Sequence, residues 1–187
     1  MKNFQLMAQG VDVMPLLLAL KRNPDLWDQH TLRTTHPNSP HTQVRDIWLR
    51  FNDLKPYKHG EDIVGVLDQH ESIWYPAIDV LPQARALIFA LMARVEGERL
   101  GRVLITSLEP GKRIDPHPDS GDHARYFERY HIVIQANPGM MFRCGDEEVQ
   151  MKMGEIWWFQ NQIEHEVINN GSDARIHMIV DIKQTTR

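Results

Sequence analysis

Residues 154–182 read GEIWWFQNQIEHEVINNGSDARIHMIVDI, and this stretch gives the clearest indication of the fold class. It is rich in Ile, Val, Trp and Phe, which favour strands, and turn-forming residues interrupt it at short intervals. The pattern predicts strands over 155–160, 164–169 and 174–183. Because only Asn-Asn-Gly-Ser separates the last two, we expect them to pair as an antiparallel hairpin.

The same texture extends towards the amino terminus as far as residue 102. Short apolar runs alternate with turn signals such as Glu109-Pro-Gly111 and Asn137-Pro-Gly139. Many short strands at regular spacing are typical of an antiparallel sandwich or a jelly roll. The further predicted strands are 102–108, 129–136, 140–144 and 147–152.

The first hundred residues have a different texture. Residues 11–22 repeat leucine at helical spacing, and a second helix is expected to begin at Pro82. Residues 34–41 contain two prolines and predict an irregular loop. We expect one domain over 1–187 that is mainly β with an α-helical amino-terminal part: a helical or mixed layer over 1–100 and a β core over 101–187.

Residues 44–51 alternate between apolar and polar side chains, which predicts a half-buried strand. Strict alternation places Trp48 and Arg50 on the same side of this strand and Ile47 on the other.

Composition excludes several classes of protein. Of 187 residues, 42% are hydrophobic and 25% are charged, which is too apolar for a disordered chain. The net charge of −4 provides no cationic surface, so we expect neither nucleic acid nor membrane as a partner. The apolar run 14–20 is too short to span a bilayer. A single cysteine, Cys144, allows no internal disulfide, and we expect a cytoplasmic protein.

Ten histidines prompt a search for a metal site. His117 and Asp119 are two residues apart, so in an extended segment their side chains point to the same side and can reach one ion. With the distant His165 they form the pattern of a non-haem iron(II) site, which leaves three coordination positions open. The alternative is that they are surface polar groups at a turn, since Pro116 and Pro118 flank His117.

Arg175 follows His165 in a segment that alternates with apolar residues. In the predicted hairpin an odd register would place His165 opposite His177, with Arg175 as a diagonal neighbour on the inner face. A buried guanidinium there needs an anionic partner, and a bound dicarboxylate would supply one. An even register would instead turn Arg175 to solvent beside Asp173, and alternation alone does not decide between the two.

Several motifs follow one another in a fixed order between residues 102 and 183. They are Leu108-Glu-Pro-Gly111, His117-Pro-Asp119, Arg129-Tyr-His131, Gly154-Glu-Ile-Trp157, Glu164-His-Glu166 and Arg175-Ile-His-Met-Ile-Val-Asp-Ile182. Together they resemble the aspartyl/asparaginyl β-hydroxylase family of iron(II) and 2-oxoglutarate-dependent oxygenases. The chain also resembles the small bacterial proline cis-4-hydroxylase-like members, which share several of these elements.

The resemblance implies a double-stranded β-helix, a cupin-like jelly roll, with the metal near one open end. It implies that His117, Asp119 and His165 bind Fe(II), and that 2-oxoglutarate and O2 are cosubstrates. Vertebrate-type aspartyl hydroxylases have glycine where Asp119 stands, so this chain looks closer to the bacterial amino-acid hydroxylases.

The resemblance also implies a binding site for 2-oxoglutarate. Arg175 would bind the distal carboxylate, and Ser107 matches a family hydroxyl near that carboxylate after a shift of one residue. Arg129 and His131 match the Arg-x-His motif, which contacts the carboxylate of the cosubstrate or the substrate.

The expected function is hydroxylation of an amino-acid side chain, coupled to decarboxylation of 2-oxoglutarate to succinate. The substrate would be a small-molecule amino acid or a side chain in a peptide or protein. Arg50 and Arg125 are candidates for binding a substrate carboxylate, and residues 36–41 could close over the site. The alternatives are a hydroxylase of a free amino acid such as proline and a cupin-like metal-binding protein without oxygenase activity.

Overall fold

A computed structural model describes residues 1–55, 65 and 68–185 of the chain. Its elements confirm a mainly β fold. The described helices are α1 (Met14–Arg22), α2 (Leu32–Thr35), α3 (Ala77–Val80), α4 (Gln83–Arg94) and α5 (Gly121–Tyr126). The described strands are β1 (Phe4–Ala8), β2 (Val44–Phe51), β3 (Ile73–Trp74), β4 (Gly97–Leu108), β5 (Arg113–His117), β6 (Glu128–Gln135), β7 (Met140–Cys144), β8 (Glu147–Val149), β9 (Ile156–Phe159), β10 (His165–Asn169) and β11 (Arg175–Gln184).

The strands form two antiparallel sheets. The large sheet has the order β1-β9-β6-β11-β4-β2-β3, and the small sheet has the order β5-β10-β7-β8. From β9 onwards the chain passes from the large sheet to the small one and back again. This alternation is the winding of a jelly roll, and it confirms the predicted fold class.

The large sheet is buried on both faces. Its outer face carries Ile105, Ile132 and Met178, which belong to one apolar cluster with residues of α1 and α4 such as Leu16 and Ile88. Its inner face is turned towards the small sheet and carries polar side chains between apolar ones. The helical layer therefore supports the sheet from behind and leaves the inner face to the polar groups.

The predicted hairpin between β10 and β11 is wrong. β10 pairs with β5 and β7, whereas β11 lies between β4 and β6 in the other sheet. Asn169 fixes the crossing, because its amide donates to the carbonyls of Leu108 (2.8 Å) and Asp173 (2.9 Å). Its Oδ1 accepts from the Gly171 amide (2.9 Å). This short polar turn thus connects the two sheets, although its sequence is also typical of turns that connect the strands of a hairpin.

A bulge in β2 changes the expected face of Arg50. Trp48 pairs with Leu104 and Arg50 pairs with Val103, so β2 has one residue more than β4 over this interval. Trp48 and Phe51 therefore share the inner face, with ring centroids 3.9 Å apart. Arg50 lies on the opposite face, and its predicted placement beside Trp48 is wrong.

Other elements lay outside the predictions. β1, β3, β5, α3 and α5 were not predicted from the sequence, and α2 includes the first two residues of the loop predicted at 34–41. β5 matters most, because it carries His117 at its end. No helix in the described ranges is both long and apolar enough to cross a membrane.

Candidate metal centre

The two predicted histidine ligands lie on neighbouring strands of the small sheet. His117 ends β5, His165 begins β10, and the two residues pair directly across the sheet. Asp119 follows β5, where its backbone amide donates to the Asn161 carbonyl (2.8 Å). One ligand atom from each of His117, Asp119 and His165 lies within 4.8 Å of the other two. The structure thus brings these three residues together in a largely buried cluster.

Backbone carbonyls fix the orientation of both imidazole rings. Nδ1 of His117 lies 2.7 Å from the Asp115 carbonyl oxygen, and Nδ1 of His165 lies 2.9 Å from that of Ile163. Because a carbonyl only accepts, each Nδ1 carries the proton and each Nε2 keeps its lone pair. Among the described residues, the buried Nε2 of His117 has no hydrogen-bond partner. Such an orphaned nitrogen beside a carboxylate fits a divalent metal ligand.

The Asp119 carboxylate divides its oxygens between the protein and the other two ligands. Oδ2 accepts from Nη1 of Arg129 (2.9 Å) and from Nδ2 of Asn161 (3.1 Å). Oδ1 lies 3.8 Å from Nε2 of His117 and 4.0 Å from Nε2 of His165. Burial would raise the pKa of Asp119, but Arg129 and the two imidazoles hold it below its usual range. The ionised carboxylate therefore has one oxygen left for an ion.

Arg129 is held between two carboxylates. It donates to Asp119 and also, through Nε (2.8 Å) and Nη2 (2.9 Å), to the two oxygens of Asp181. Burial would lower its pKa, but the two carboxylates raise it above the usual range, so Arg129 stays charged. These contacts favour a positioning role. The expected contact with a cosubstrate or substrate carboxylate stays a prediction.

Arg175 faces the interior and not the solvent, which were the two alternatives that the sequence left open. It pairs with Leu108 at the start of β11, is 3% exposed, and lies over the Phe142 ring at 5.6 Å. Its Nη2 donates to Nδ1 of His177 (3.0 Å). Burial lowers the pKa of Arg175 to about 9. No carboxylate of the described residues lies within ion-pair distance of it, so the site contains a buried cation that lacks an anionic partner.

His131 and His177 lie between Arg175 and the predicted ligands. Their Nδ1 atoms are 3.2 Å apart, and burial together with Arg175 lowers the pKa of both well below 6.5. Both rings are therefore neutral at pH 7. A cavity of about 10 Å³ beside Arg175 and His177 is lined by Phe142 and by Met140, Met141 and Met151. Flexible methionines surround this small space, and their rotation would enlarge it.

The structure turns Ser107 away from this pocket. Ser107 pairs with Ile176 on the outer face and donates to Oε1 of Glu109 (3.3 Å), so it does not share the face of Arg175. Thr106, one residue earlier, pairs with His177 and is buried on the inner face. Thr106 and not Ser107 therefore shares the face of Arg175, because successive residues of a strand point to opposite faces.

The two predicted substrate residues have other partners. Nε of Arg50 donates to the Gly101 carbonyl (3.0 Å), and its guanidinium lies over the Trp74 ring at 5.2 Å. Arg125 forms an exposed ion pair with Asp122 on α5. None of these contacts joins either arginine to the predicted ligands, and both assignments stay predictions.

The loop over residues 36–41 forms a wall of the site. The ring of His41 packs edge-on against His117, with centroids 4.9 Å apart and planes at 90°. The Asp115 amide donates to the Pro40 carbonyl (3.3 Å), which ties the loop to β5. The loop therefore covers the ligands in this structure through contacts that hold it in place.

Three residues of this interior were not predicted from the sequence: Asp181, Asn161 and Thr106. Asp181 belongs to the motif at 175–182. The signal that could have identified it is a charged residue within an otherwise apolar strand, where it is buried. Asn161 and Thr106 carry no signal of their own, because amides and hydroxyls occur at many surface positions. Only the three-dimensional arrangement identifies these two residues.

Solved structures agree with this architecture. An oxidoreductase of the 2OG-Fe(II) oxygenase family from Burkholderia pseudomallei aligns with a TM-score of 0.61 at 11% identity, over 98% of this chain and 85% of its own. A prolyl hydroxylase from Trichoplax adhaerens, in complex with a hypoxia inducible factor peptide fragment, aligns with a TM-score of 0.62 at 10% identity, over 98% and 84%. At these identities the likeness shows a shared fold.

Sequence comparison adds a more specific result. L-proline cis-4-hydroxylase of Rhizobium meliloti (strain 1021) is 29% identical over 72 residues, which is 38% of this chain and 26% of that relative. The matched stretch thus spans about a quarter of the curated relative. A family model described as Aspartyl/Asparaginyl beta-hydroxylase matches residues 22–185, a range that contains all three predicted ligands and Arg175.

Proposed function

The chain belongs to the aspartyl/asparaginyl β-hydroxylase family, and we propose that it uses Fe(II), 2-oxoglutarate and O2 to hydroxylate an amino-acid side chain. One observation carries the proposal. A buried cluster of His117, Asp119 and His165 shares the jelly-roll interior with Arg175, a buried cation without a carboxylate partner among the described residues. A metal and a dicarboxylate would complete both halves of this arrangement.

The protein supplies two neutral imidazoles and one carboxylate to the metal. Nε2 of His117, Nε2 of His165 and Oδ1 of Asp119 would hold Fe(II) on one side. This donor set suits non-haem iron and leaves positions for a 2-oxo acid and dioxygen, whose activation is the chemistry that the metal supplies. Neighbouring groups of the protein hold the two imidazole rings in place and keep Asp119 ionised, so the ligands need no rearrangement to bind the metal.

Arg175 would bind the distal carboxylate of 2-oxoglutarate. A guanidinium can form two parallel hydrogen bonds with a carboxylate, and burial strengthens this pairing. His131 and Thr106 line the same inner face and offer further hydrogen bonds. Binding requires the methionines beside Arg175 to move, and their side chains adapt readily. We propose that the cosubstrate is decarboxylated to succinate.

Two substrate classes follow from the comparisons. A side chain within a peptide corresponds to the prolyl hydroxylase from Trichoplax adhaerens, which was solved with a peptide fragment, and a free amino acid such as proline corresponds to the relative from Rhizobium meliloti. The cupin-like metal protein without oxygenase activity is the third candidate, and the buried Arg175, which has no carboxylate partner among the described residues, counts against it. A cytoplasmic location is part of the proposal, and the single Cys144 supports it.

Turnover assays test the proposal. The protein is incubated with Fe(II), 2-oxoglutarate and air, together with each free amino acid or with short peptides, and succinate and hydroxylated product are quantified. We expect one class to stimulate succinate formation with an equal amount of hydroxylated product. Succinate formation that no amino acid or peptide stimulates would contradict the proposed activity.

A further inference from the structure

Asp181 is buried in the site but contacts none of the predicted metal ligands. It lies on the inner face of β11, opposite Arg129 of β6, and is 1% exposed. Its two oxygens accept from Nε and Nη2 of Arg129 at 2.8 and 2.9 Å. The remaining terminal nitrogen, Nη1, donates to Oδ2 of Asp119 at 2.9 Å. One guanidinium thus connects Asp181 to the ligand carboxylate.

The planar guanidinium makes this connection directional. Its Nε and Nη2 form one edge that matches a carboxylate, and Asp181 occupies that edge. Asp119 therefore accepts a hydrogen bond from the outer nitrogen Nη1 alone, through the oxygen that points away from the imidazoles. Without Asp181 the edge would be free to pair with both oxygens of Asp119. Oδ1 would then be shared between Arg129 and the metal.

Asp181 also adds negative charge beside the metal ligands. Asp181 and Asp119 both pair with the Arg129 guanidinium, and the buried guanidinium of Arg102 lies near the two carboxylates. Loss of the Asp181 charge would make this group of side chains more positive by one unit, which disfavours a divalent cation. Both the geometry and the charge therefore predict weaker metal binding without Asp181.

His123 holds Asp181 from the other side. Its Nε2 lies 3.0 Å from Oδ2 of Asp181, and its Nδ1 lies 2.9 Å from the Gln69 carbonyl oxygen. Burial would raise the pKa of Asp181, but Arg129 and His123 hold it well below the usual range. The carboxylate is therefore ionised and fixed from two directions.

We propose that Asp181 is a positioning residue of the metal centre, which holds Arg129 so that Asp119 presents a single free oxygen to the metal. The inference rests on the proposed ligand set of His117, Asp119 and His165. Asp181 contacts neither of the two histidine ligands, so its effect on the metal passes through Arg129.

The test compares Asp181→Asn with wild type by anaerobic calorimetric titration with Fe(II) alone. The amide keeps the size of the side chain and removes its charge. We expect the Kd for Fe(II) to rise about 10- to 100-fold, as is typical when a partner of a metal ligand is lost. His123→Leu, which leaves Arg129 bound to Asp181, should weaken Fe(II) binding less and in the same direction.

Asp46→Asn is the matched control. Asp46 is also 1% exposed on the large sheet and accepts two bonds from one arginine, Arg33, at 2.8 and 2.7 Å. In the described contacts it touches none of the predicted ligands. Both variants should lose stability in urea, whereas only Asp181→Asn should lose affinity for Fe(II).

Each outcome is informative. An unchanged Kd in Asp181→Asn, or an equal loss of affinity in Asp46→Asn, would overturn the inference while leaving the proposed function intact. If Asp181→Asn does not fold, an unchanged Kd in His123→Leu would overturn it. If the wild-type protein itself binds no Fe(II), the proposed ligand set fails first and the inference fails with it.

Discussion

At the scale of single residues, hydrogen bonds within the protein determine which nitrogen or oxygen of each side chain stays available to a metal. The imidazoles of His117 and His165 give Nδ1 to backbone carbonyls, and Asp119 gives Oδ2 to Arg129 and Asn161. What remains on each side chain is one donor atom that faces the other two. The protein thus prepares the ligands before any metal arrives.

Replacing a ligand should abolish tight iron binding. His165→Ala removes one of three donor atoms, so we expect the affinity for Fe(II) to fall by more than about 100-fold, beyond the effect of losing a ligand's partner. His30→Ala is the control, because His30 stacks on Trp48 at 5.1 Å and belongs to no cluster of possible metal ligands within the described part of the chain. Anaerobic equilibrium dialysis with Fe(II) measures both. Wild-type iron content in His165→Ala would refute this ligand set.

Replacing Arg175 should separate cosubstrate binding from metal binding. Arg175→Lys keeps a positive charge but loses the two parallel donors, so the Kd for 2-oxoglutarate should rise about 10- to 100-fold, the equivalent of a charged hydrogen bond. The Kd for Fe(II) should stay unchanged. Arg143→Lys, in a partly buried ion pair of β7 with Glu166, is the control. Equal 2-oxoglutarate affinity in Arg175→Lys and wild type would remove Arg175 from the cosubstrate site.

At the scale of elements, the crossing between β10 and β11 determines which residues can meet. It sends β10 with His165 to the small sheet and β11 with Arg175 to the large sheet. The two side chains therefore approach from opposite walls of the interior. A hairpin would have placed both on one sheet and left the second wall without a cation.

Asn169→Ala should destabilise this crossing. The side chain is fully buried, and it makes three hydrogen bonds to the carbonyls and the amide of the turn. Each buried backbone group left unpaired costs about 1–3 kcal/mol, so we expect a loss of about 2–5 kcal/mol in the free energy of unfolding. Asn170→Ala, at the exposed neighbour, should change it by less than about 0.5 kcal/mol. Urea denaturation measures both, and equal effects would contradict this role for Asn169.

The positions of the strands along the chain were easier to predict from the sequence than the pairing between them. β-branched and aromatic runs between turn residues located β4, β6, β7, β9, β10 and β11 to within a few residues. Pairing depends on the three-dimensional path of the chain, which the Asn-Asn-Gly-Ser turn does not encode. The bulge in β2 was equally invisible, because one extra residue leaves the composition of a strand unchanged and still moves Arg50 to the other face.

The site was predictable where a short spacing carries chemistry. His117 and Asp119 are two residues apart, which is the period of an extended strand, and the structure brings them together with His165. Ser107 and Thr106 show the limit, since a shift of one residue exchanges the two faces of β4. The role proposed for Asp181 depends on a contact with Arg129 across two strands, which no local pattern contains.

At the scale of the whole molecule, a helical layer supports one sheet and two sheets enclose a polar interior. The outer cluster is apolar, whereas the interior holds neutral imidazoles, carboxylates and guanidinium groups. Such groups are costly to bury, and their hydrogen bonds compensate only while the protonation states stay as they are. The stability of the fold is therefore coupled to pH.

The free energy of unfolding should fall as the pH drops from about 7 to about 5. Burial keeps the pKa of His131 and His177 well below 6.5 in the folded protein, while unfolding restores a pKa of about 6.5. The unfolded chain then binds more protons below that pH, and each histidine contributes up to about 1.4 kcal/mol per pH unit. Asp119 and Asp181, whose pKa values are lowered, add a loss of the same sign below about pH 4.

Urea denaturation at both pH values checks this coupling. His177→Gln removes one of the buried rings that titrate on unfolding and should reduce the pH dependence, whereas His36→Gln, at a half-buried position, should leave it unchanged. A stability that is the same at about pH 5 and about pH 7 in the wild-type protein would show that the buried rings do not control it.

If one interior holds both a metal and 2-oxoglutarate, an anaerobic optical titration should detect their contact. Fe(II) is added to the protein without oxygen, followed by 2-oxoglutarate, while the visible spectrum is recorded. If the cosubstrate chelates a metal held by His117, Asp119 and His165, a charge-transfer band should grow to saturation at one equivalent, and Arg175→Lys should require more cosubstrate to reach it. A wild-type protein that binds both components but develops no such band would contradict the account.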